Sequence, residues 1–230
     1  MGIKRTKLSD RTLPSYSRGE EIFNMVSHIV GAGIGIAATS LCVVFAFLEW
    51  DAYKIVSAFV YGFSIIILFT MSSVYAGLTT NISKKVMQIL DHCTIFVLIA
   101  GTYTPYSLVA IRQVSAPIGW TLFGIVWGVA ALGIVLNAID LKAFKKFSLI
   151  CYIGLGWCII FTIDKLIQGI GWYGFIFLIT GGIMYTVGAV IYAVSKKGKH
   201  KRYVHSIFHL FVVVACVLHF FSVFFYVILK

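Results

Sequence analysis

Seven long, mostly apolar runs follow one another along this chain, joined by short polar loops: Ile22 to Leu48, Ile55 to Leu78, Val86 to Ile111, Ala116 to Ile139, Phe147 to Ile163, Ile170 to Val194 and Tyr203 to Leu229. A bilayer hydrocarbon core about 30 Å thick needs roughly 20 apolar residues per helix, and the runs are of that order, the fifth being the shortest. With 60% hydrophobic and 12% charged residues over 230 positions, the chain is too apolar for a soluble domain of ordinary composition. The expected fold is all-α: a polytopic membrane protein with a seven-transmembrane-helix bundle over 22–230, preceded by a basic segment, 1–21. That segment has no cleavable apolar signal, so insertion is expected through the first helix itself.

Charge placement orients the bundle. Of the 19 Lys and Arg, all but Lys54, Arg112, Lys165 and Lys230 fall on one side if the amino terminus is cytoplasmic. Over short loops such a bias sets orientation, so the amino terminus is expected inside and the carboxyl terminus outside. The net charge of +11 is thereby divided among loops instead of forming one basic face, which argues against a nucleic-acid partner and for anionic lipid headgroups. The five cysteines, Cys42, Cys93, Cys151, Cys158 and Cys216, lie inside apolar runs without CxxC spacing. They read as small core residues, with neither disulfide nor cysteine metal site expected.

Polar groups inside the apolar runs share one depth. His28 lies near the inner start of the first helix, Ser72 and Ser73 near the inner end of the second, Asp91 and His92 just inside the third, and His205 and His209 at the inner mouth of the seventh. The spacing of His205 and His209 stacks both imidazoles on one helix face, an arrangement that suits zinc. Taken singly, His28, His92 and His205 also read as solvated boundary residues. Asp91 in an apolar run needs a partner, and four helices converging at one leaflet favour a site. His219 lies deeper and reads equally as a core histidine bonded to a neighbouring helix. Gly31 and Gly35 present a small face for close helix packing, and Pro105 is expected to kink the third helix.

Glu20-Glu-Ile-Phe-Asn24 followed by Ser27-His28 and Gly31, then Asp91-His92 leading into Ala100-Gly-Thr-Tyr-Thr-Pro105, then His205, His209 and His219-Phe220, resemble the bacterial hemolysin III family. That family is the prokaryotic branch of the progestin and adiponectin receptor group and is related more distantly to alkaline ceramidases. The resemblance covers all seven runs. It implies a seven-helix fold, a bacterial plasma-membrane location, and a zinc ion near the cytoplasmic face held by one histidine at the end of helix 2 and two at the start of helix 7. His205 and His209 match the helix 7 ligands, Ser72 matches the serine of the SxxxH motif, and Asp91 matches the aspartate near the metal.

The chain departs from the pattern in Ser72-Ser-Val-Tyr-Ala76, where the expected histidine is alanine. Three explanations stand: an engineered change, favoured by the intact neighbouring motif residues; a naturally degenerate site; or another ligand such as Asp91 or a second water. The expected function is a zinc-dependent membrane hydrolase of lipid amide or ester bonds, impaired by Ala76, with Asp91 handling the proton of a metal-bound water and Ser72 holding the water or oxyanion. The alternatives are a membrane-disrupting hemolysin and a receptor-like sensor. Membrane lipids are the expected partners; the oligomeric state is not legible.

Overall fold

The structure is a computed structural model that describes residues 5–195 and 202–230. The cytoplasmic charges assigned to Lys4, Lys196, Lys197, Lys199 and Lys201 lie outside the described residues. Among the described residues all regular structure is helical: α1 (Arg18–Leu48), α2 (Ala52–Gly77), α3 (Ile82–Pro105), α4 (Ala116–Asp140), α5 (Lys145–Trp157), α6 (Ile163–Ser195) and α7 (Val204–Val223). Wider turns extend α3 over Tyr106–Ile111 and α7 over Phe224–Ile228, and a tight turn at Cys158–Thr162 joins α5 to α6. Among the described residues, six stretches are long and apolar enough to cross a membrane: Arg18–Leu48, Ala52–Gly77, Ile82–Val114, Ala116–Asp140, Lys145–Val194 and Val204–Ile228.

Helix starts follow local chemistry. Ser17 caps α1 in a reciprocal box with Glu20, and the Asp51 carboxylate accepts from the backbone N–H groups of Tyr53 and Lys54 to start α2. Asn81 accepts from Lys84 N–H to start α3. Such caps satisfy N–H groups that the first helical turn leaves without partners. Pro105 does not end α3. The helix passes into the wider turn at Tyr106–Ile111, and around that point the Thr104 and Ser107 hydroxyls donate to the carbonyls of Ala100 and Tyr103.

Contacts set the packing order. α2 runs antiparallel to α1, with Gly31 against Phe69, Gly35 against Ile65 and Gly62 against Thr39, so the small face expected at Gly31 and Gly35 is used. α3 is the central helix: 83% of its apolar window is buried, against 22–50% for the others. Gly101 rests on Ser64 of α2 and Gly133 of α4 on the ring of Phe96. The outward faces remain apolar, as at Val30, Phe63, Leu132, Ile150 and Phe161. The interior holds Ser57, Ser64, Thr104, Ser107 and Asn137 fully buried, the arrangement expected of a bundle whose surroundings are as apolar as its core.

The region 164–169, expected as a loop, is helical. Leu166 and Ile170 are fully buried and Gly169 lies against the Ala110 carbonyl, so this segment is core. The break is a single residue, Gly171, at φ +72° and ψ 173°, a conformation that only glycine adopts without strain. Before it, Tyr152, Leu155, Ile159 and Gly169 follow His92, Tyr103 and Ala110 along α3. After it, Gly174, Leu178, Tyr185 and Gly188 meet Tyr226, His219, Cys216 and Phe211 of α7 in descending order. His219 is therefore the core histidine bonded to a neighbouring helix, 3.0 Å from the Leu178 carbonyl.

The Phe96 ring is fully buried and cannot retreat. Gly133→Ala should therefore cost about 1–3 kcal/mol through overpacking, whereas Gly128→Ala, where an added Cβ meets nothing within 4 Å, should leave stability unchanged or slightly raised. Thermal unfolding of both variants in detergent checks this pair.

Candidate functional site

One end of the bundle gathers the histidines. His205 and His209 approach through Nε2 atoms 3.1 Å apart, as the four-residue spacing on one helix face requires. His28 of α1 stacks on His209 with ring centroids 3.8 Å apart and an interplanar angle of 20°. Phe69 meets His28 edge-on at 5.1 Å. His28 is 4% and His209 3% exposed, and both ring nitrogens of His28 lack a hydrogen-bond partner among the described residues.

Aromatic rings hold His205 from two further sides. Tyr16, in the segment before α1, stacks on it at 5.1 Å and 7°, and Tyr192 of α6 lies 5.1 Å away. The segment bearing Tyr16 is tied across this end of the bundle: Thr6 N–H donates to the Asp140 carboxylate at 2.7 Å, and the Lys85 ammonium donates to the Ser9 carbonyl at 2.6 Å. Burial among these groups pushes the Tyr16 hydroxyl well above its ordinary pKa, so it stays a neutral hydrogen-bonding group.

Charged and amide groups lock α1 to α3 and α7 just beneath. The buried Glu20 carboxylate accepts from the Tyr203 N–H at 2.8 Å, fixing the left-handed residue that starts α7. Ser206 Oγ donates to Asn24 Oδ1 at 2.7 Å. The Lys84 ammonium, 3% exposed, pairs with Glu21 and donates to the Leu78 carbonyl at 2.8 Å. Glu20 and Glu21, in the first turn of α1, thus bond to the neighbouring helices.

The other expected residues divide. Ser72 lies beside the Asp91 carboxylate and is buried. His92 is turned elsewhere: its Nδ1 lies 2.8 Å from the Gln88 carbonyl of its own helix and 3.9 Å from Asp91. Ala76 lines a cavity of about 10 Å³ with Tyr16, Glu21, Asn24, Tyr75, Lys84, His205 and His209, which is room for about one water. Ser72, Asp91 and His28 do not line it. A larger cleft of about 200 Å³, lined by Glu49, Asp51, Lys54 and Lys230 among others, opens at the opposite end, and holds none of the expected site residues. There the Lys54 ammonium pairs with Glu49 and donates to the Ile228 carbonyl at 2.9 Å.

The donors suit zinc in part. Two imidazole nitrogens bound to one tetrahedral zinc at roughly 2.0–2.1 Å lie about 3.3–3.4 Å apart, close to the 3.1 Å between His205 and His209. The Ala76 methyl, at the same cavity, has no lone pair to add. Among the described residues no three His, Cys, Asp or Glu side chains form a group that could hold a metal ion; the His28 and His209 rings are stacked, so their in-plane lone pairs do not converge.

The sequence pattern did not single out Tyr16, Tyr192 or Asn24 with Ser206 as neighbours of the histidines. For Asn24 a signal existed: Asn24 and His28, like His205 and His209, stand four residues apart and share a helix face. Tyr16 and Tyr192 carried none, because neither a capping segment nor an interface aromatic reveals its partner.

A helical bundle with an apolar exterior, interhelical polar bonds within and a histidine cluster at one end defines a multi-pass membrane protein. Residues 16–220 match the Haemolysin-III related family. The chain is 38% identical over 209 residues to Hemolysin-3 of Bacillus cereus, covering 91% of this chain and 92% of that protein. It is 36% identical over 207 residues to the Hemolysin-3 homolog of Bacillus subtilis (strain 168), covering 90% and 94%. More distantly it is 24% identical over 183 residues to the human Monocyte to macrophage differentiation factor, covering 76% and 72%. The chain belongs to the hemolysin III family, and is a multi-pass protein of a bacterial cell membrane.

Replacing Tyr16 with alanine removes one stacked face of His205. Diethyl pyrocarbonate modification of His205, followed by mass spectrometry, should become severalfold faster in Tyr16→Ala than in the parent.

Proposed function

We propose that this chain is a seven-pass, zinc-dependent hydrolase of lipid amide or ester bonds, with its amino terminus cytoplasmic, its carboxyl terminus outside, and activity impaired by Ala76. The observation that carries the metal assignment is the 3.1 Å approach of His205 and His209 beside a cavity that Ala76 also lines. Length supports the reading of seven crossings. The Lys145–Val194 stretch is 50 residues, about 75 Å at 1.5 Å per residue, more than twice a hydrocarbon core of about 30 Å, and it breaks at Gly171. The uneven division of Lys and Arg supports the orientation.

His205 and His209 would hold the metal, with a vacancy at the methyl of Ala76. Zinc, when bound, supplies Lewis acidity that lowers the pKa of a bound water toward neutrality. Asp91 accepts or orients a proton, and the Ser72 hydroxyl beside it holds that carboxylate in place or donates to the developing oxyanion. Tyr16 and Tyr192 shield His205 from water on two sides, and the segment before α1 would have to yield for a lipid headgroup to enter from the cytoplasm.

Ala76→His should raise zinc retention at least tenfold in metal analysis of the purified protein and bring measurable lipid hydrolysis. Negligible zinc in both forms would refute the metal assignment. In the Ala76→His background, Asp91→Asn should reduce hydrolysis about 100-fold or more while leaving zinc content within twofold. For orientation, single cysteines at Asp51 and Lys85 in a cysteine-free background should react with an impermeant maleimide from outside and inside, respectively.

A second reading, membrane lysis, draws on the Hemolysin-3 name of the Bacillus relatives. Liposome leakage by the purified protein that persists in chelator, without hydrolysis in Ala76→His, would favour it.

A further inference from the structure

We infer that the cleft at the end of the bundle opposite the histidines binds a small zwitterion, a phosphodiester with a primary ammonium beside it, as a lipid headgroup or as the free headgroup compound. The inference does not depend on the zinc reading.

The first ground is the lining. The cleft, of about 200 Å³, is lined by Glu49, Asp51, Lys54, Gln113 and Lys230 together with groups of α3, α6 and α7. That is the liquid volume of about six waters, room for a phosphate and a short amine. Two carboxylates stand among two ammonium groups, so an ion of one sign would meet as much repulsion as attraction. A ligand carrying both signs meets a partner at each end.

The second ground is Lys54. It is 5% exposed, and its ammonium pairs with Glu49 and donates to the Ile228 carbonyl at 2.9 Å, which leaves its third N–H for another acceptor. The Glu49 side chain, on the turn between α1 and α2, is 42% exposed. A buried ammonium loses hydration that one half-exposed carboxylate repays only in part; a phosphate oxygen in the cleft supplies more. Oδ1 of Asp51 is committed to the first turn of α2, and Oδ2 is the oxygen left for a cation.

The third ground is backbone form and depth. Val109 and Ala110 lie in the wide turn that extends α3, and Tyr226 and Val227 in the one that extends α7. Such turns are rare and gather at functional sites, and here two from separate helices border one cleft. Trp50, Tyr53, Trp120 and Trp172, all exposed, stand at this end of their helices. Exposed Trp and Tyr mark the headgroup level of a bilayer, where phosphodiesters lie, which favours phosphate over carboxylate as the anionic half.

The full chain, purified in detergent, is titrated by calorimetry with three probes: glycerophosphoethanolamine; glycerophosphoglycerol, which has the phosphodiester and no ammonium; and β-alanine, which has a carboxylate in place of the phosphate. Glycerophosphoethanolamine should bind one per chain, at least tenfold more tightly than either control, and Lys54→Met should weaken it at least tenfold. Glu49→Gln should reverse the preference, weakening the zwitterion and tightening the anionic diester, a change that a purely structural Lys54–Glu49 pair would not produce. Native mass spectrometry from nanodiscs identifies the source. One phosphatidylethanolamine retained per chain, with phosphatidylglycerol retained in its place by Glu49→Gln, assigns a lipid headgroup; saturable binding of the soluble diester assigns the free compound as a ligand. Absence of both overturns the inference. So does either control binding as tightly as glycerophosphoethanolamine, or an unchanged preference in Glu49→Gln. Should Lys54→Met fail to fold, Glu49→Gln and Lys230→Met, both at exposed side chains, decide by themselves, the latter by weakening both diesters severalfold.

Discussion

Every polar group carried into an apolar layer must find its partner inside the protein, and this constraint shapes the whole bundle. Backbone groups are satisfied by helix. Side chains do the rest in short interhelical bonds: the Tyr103 hydroxyl with the backbone at Leu155 and Ile159, Ser148 with Asn137, Trp127 with Thr104, Ser222 with the Gly174 carbonyl. Gly101, Gly133 and Gly169 allow close packing against Ser64, the Phe96 ring and the Ala110 carbonyl. The interior therefore carries polar residues that bond between helices, although Ser57 and His28 hold buried polar atoms without a partner among the described residues.

Against that background the histidine end stands apart. His28, His205 and His209 are packed ring to ring, and the groups around them, Glu20 with Tyr203, Asn24 with Ser206 and Lys84 with Glu21, are all used to hold α1, α3 and α7 in register. The scaffold is bonded, and the imidazoles it surrounds are stacked at His28 and His209 and edge-on at His209 and His205. Asp91 and Ser72 form a second polar pair outside the small cavity, so chemistry joining the two groups needs the cavity to enlarge.

Much of this was legible from residue order because hydrophobic run length and helical spacing are local properties. The apolar runs, the close face at Gly31 and Gly35 and the pairing of His205 with His209 follow from positions within one run or from what lipid excludes, whereas His219 stood open until its bond to the Leu178 carbonyl placed it in the core. The errors came from interactions between runs. Residues 164–169 look like a loop because Asp164, Lys165 and Gln168 interrupt the hydropathy, yet Leu166 and Ile170 face the core and keep the segment helical until Gly171. Lys84 looks like a loop charge but is buried by its bond to Glu21.

His28 and His92 had equal standing in the linear pattern, each at a helix end among polar neighbours. Packing separated them, turning His28 into the ring of His209 and His92 toward its own backbone. Residue order alone settles that this chain is helical, membrane-embedded and a hemolysin III relative, since those depend on composition and local motif. Which imidazoles meet, what covers them and how little space Ala76 leaves depend on the rotation of one helix against another. That rotation is decided by side-chain interlocking summed over the whole bundle, which no single run encodes.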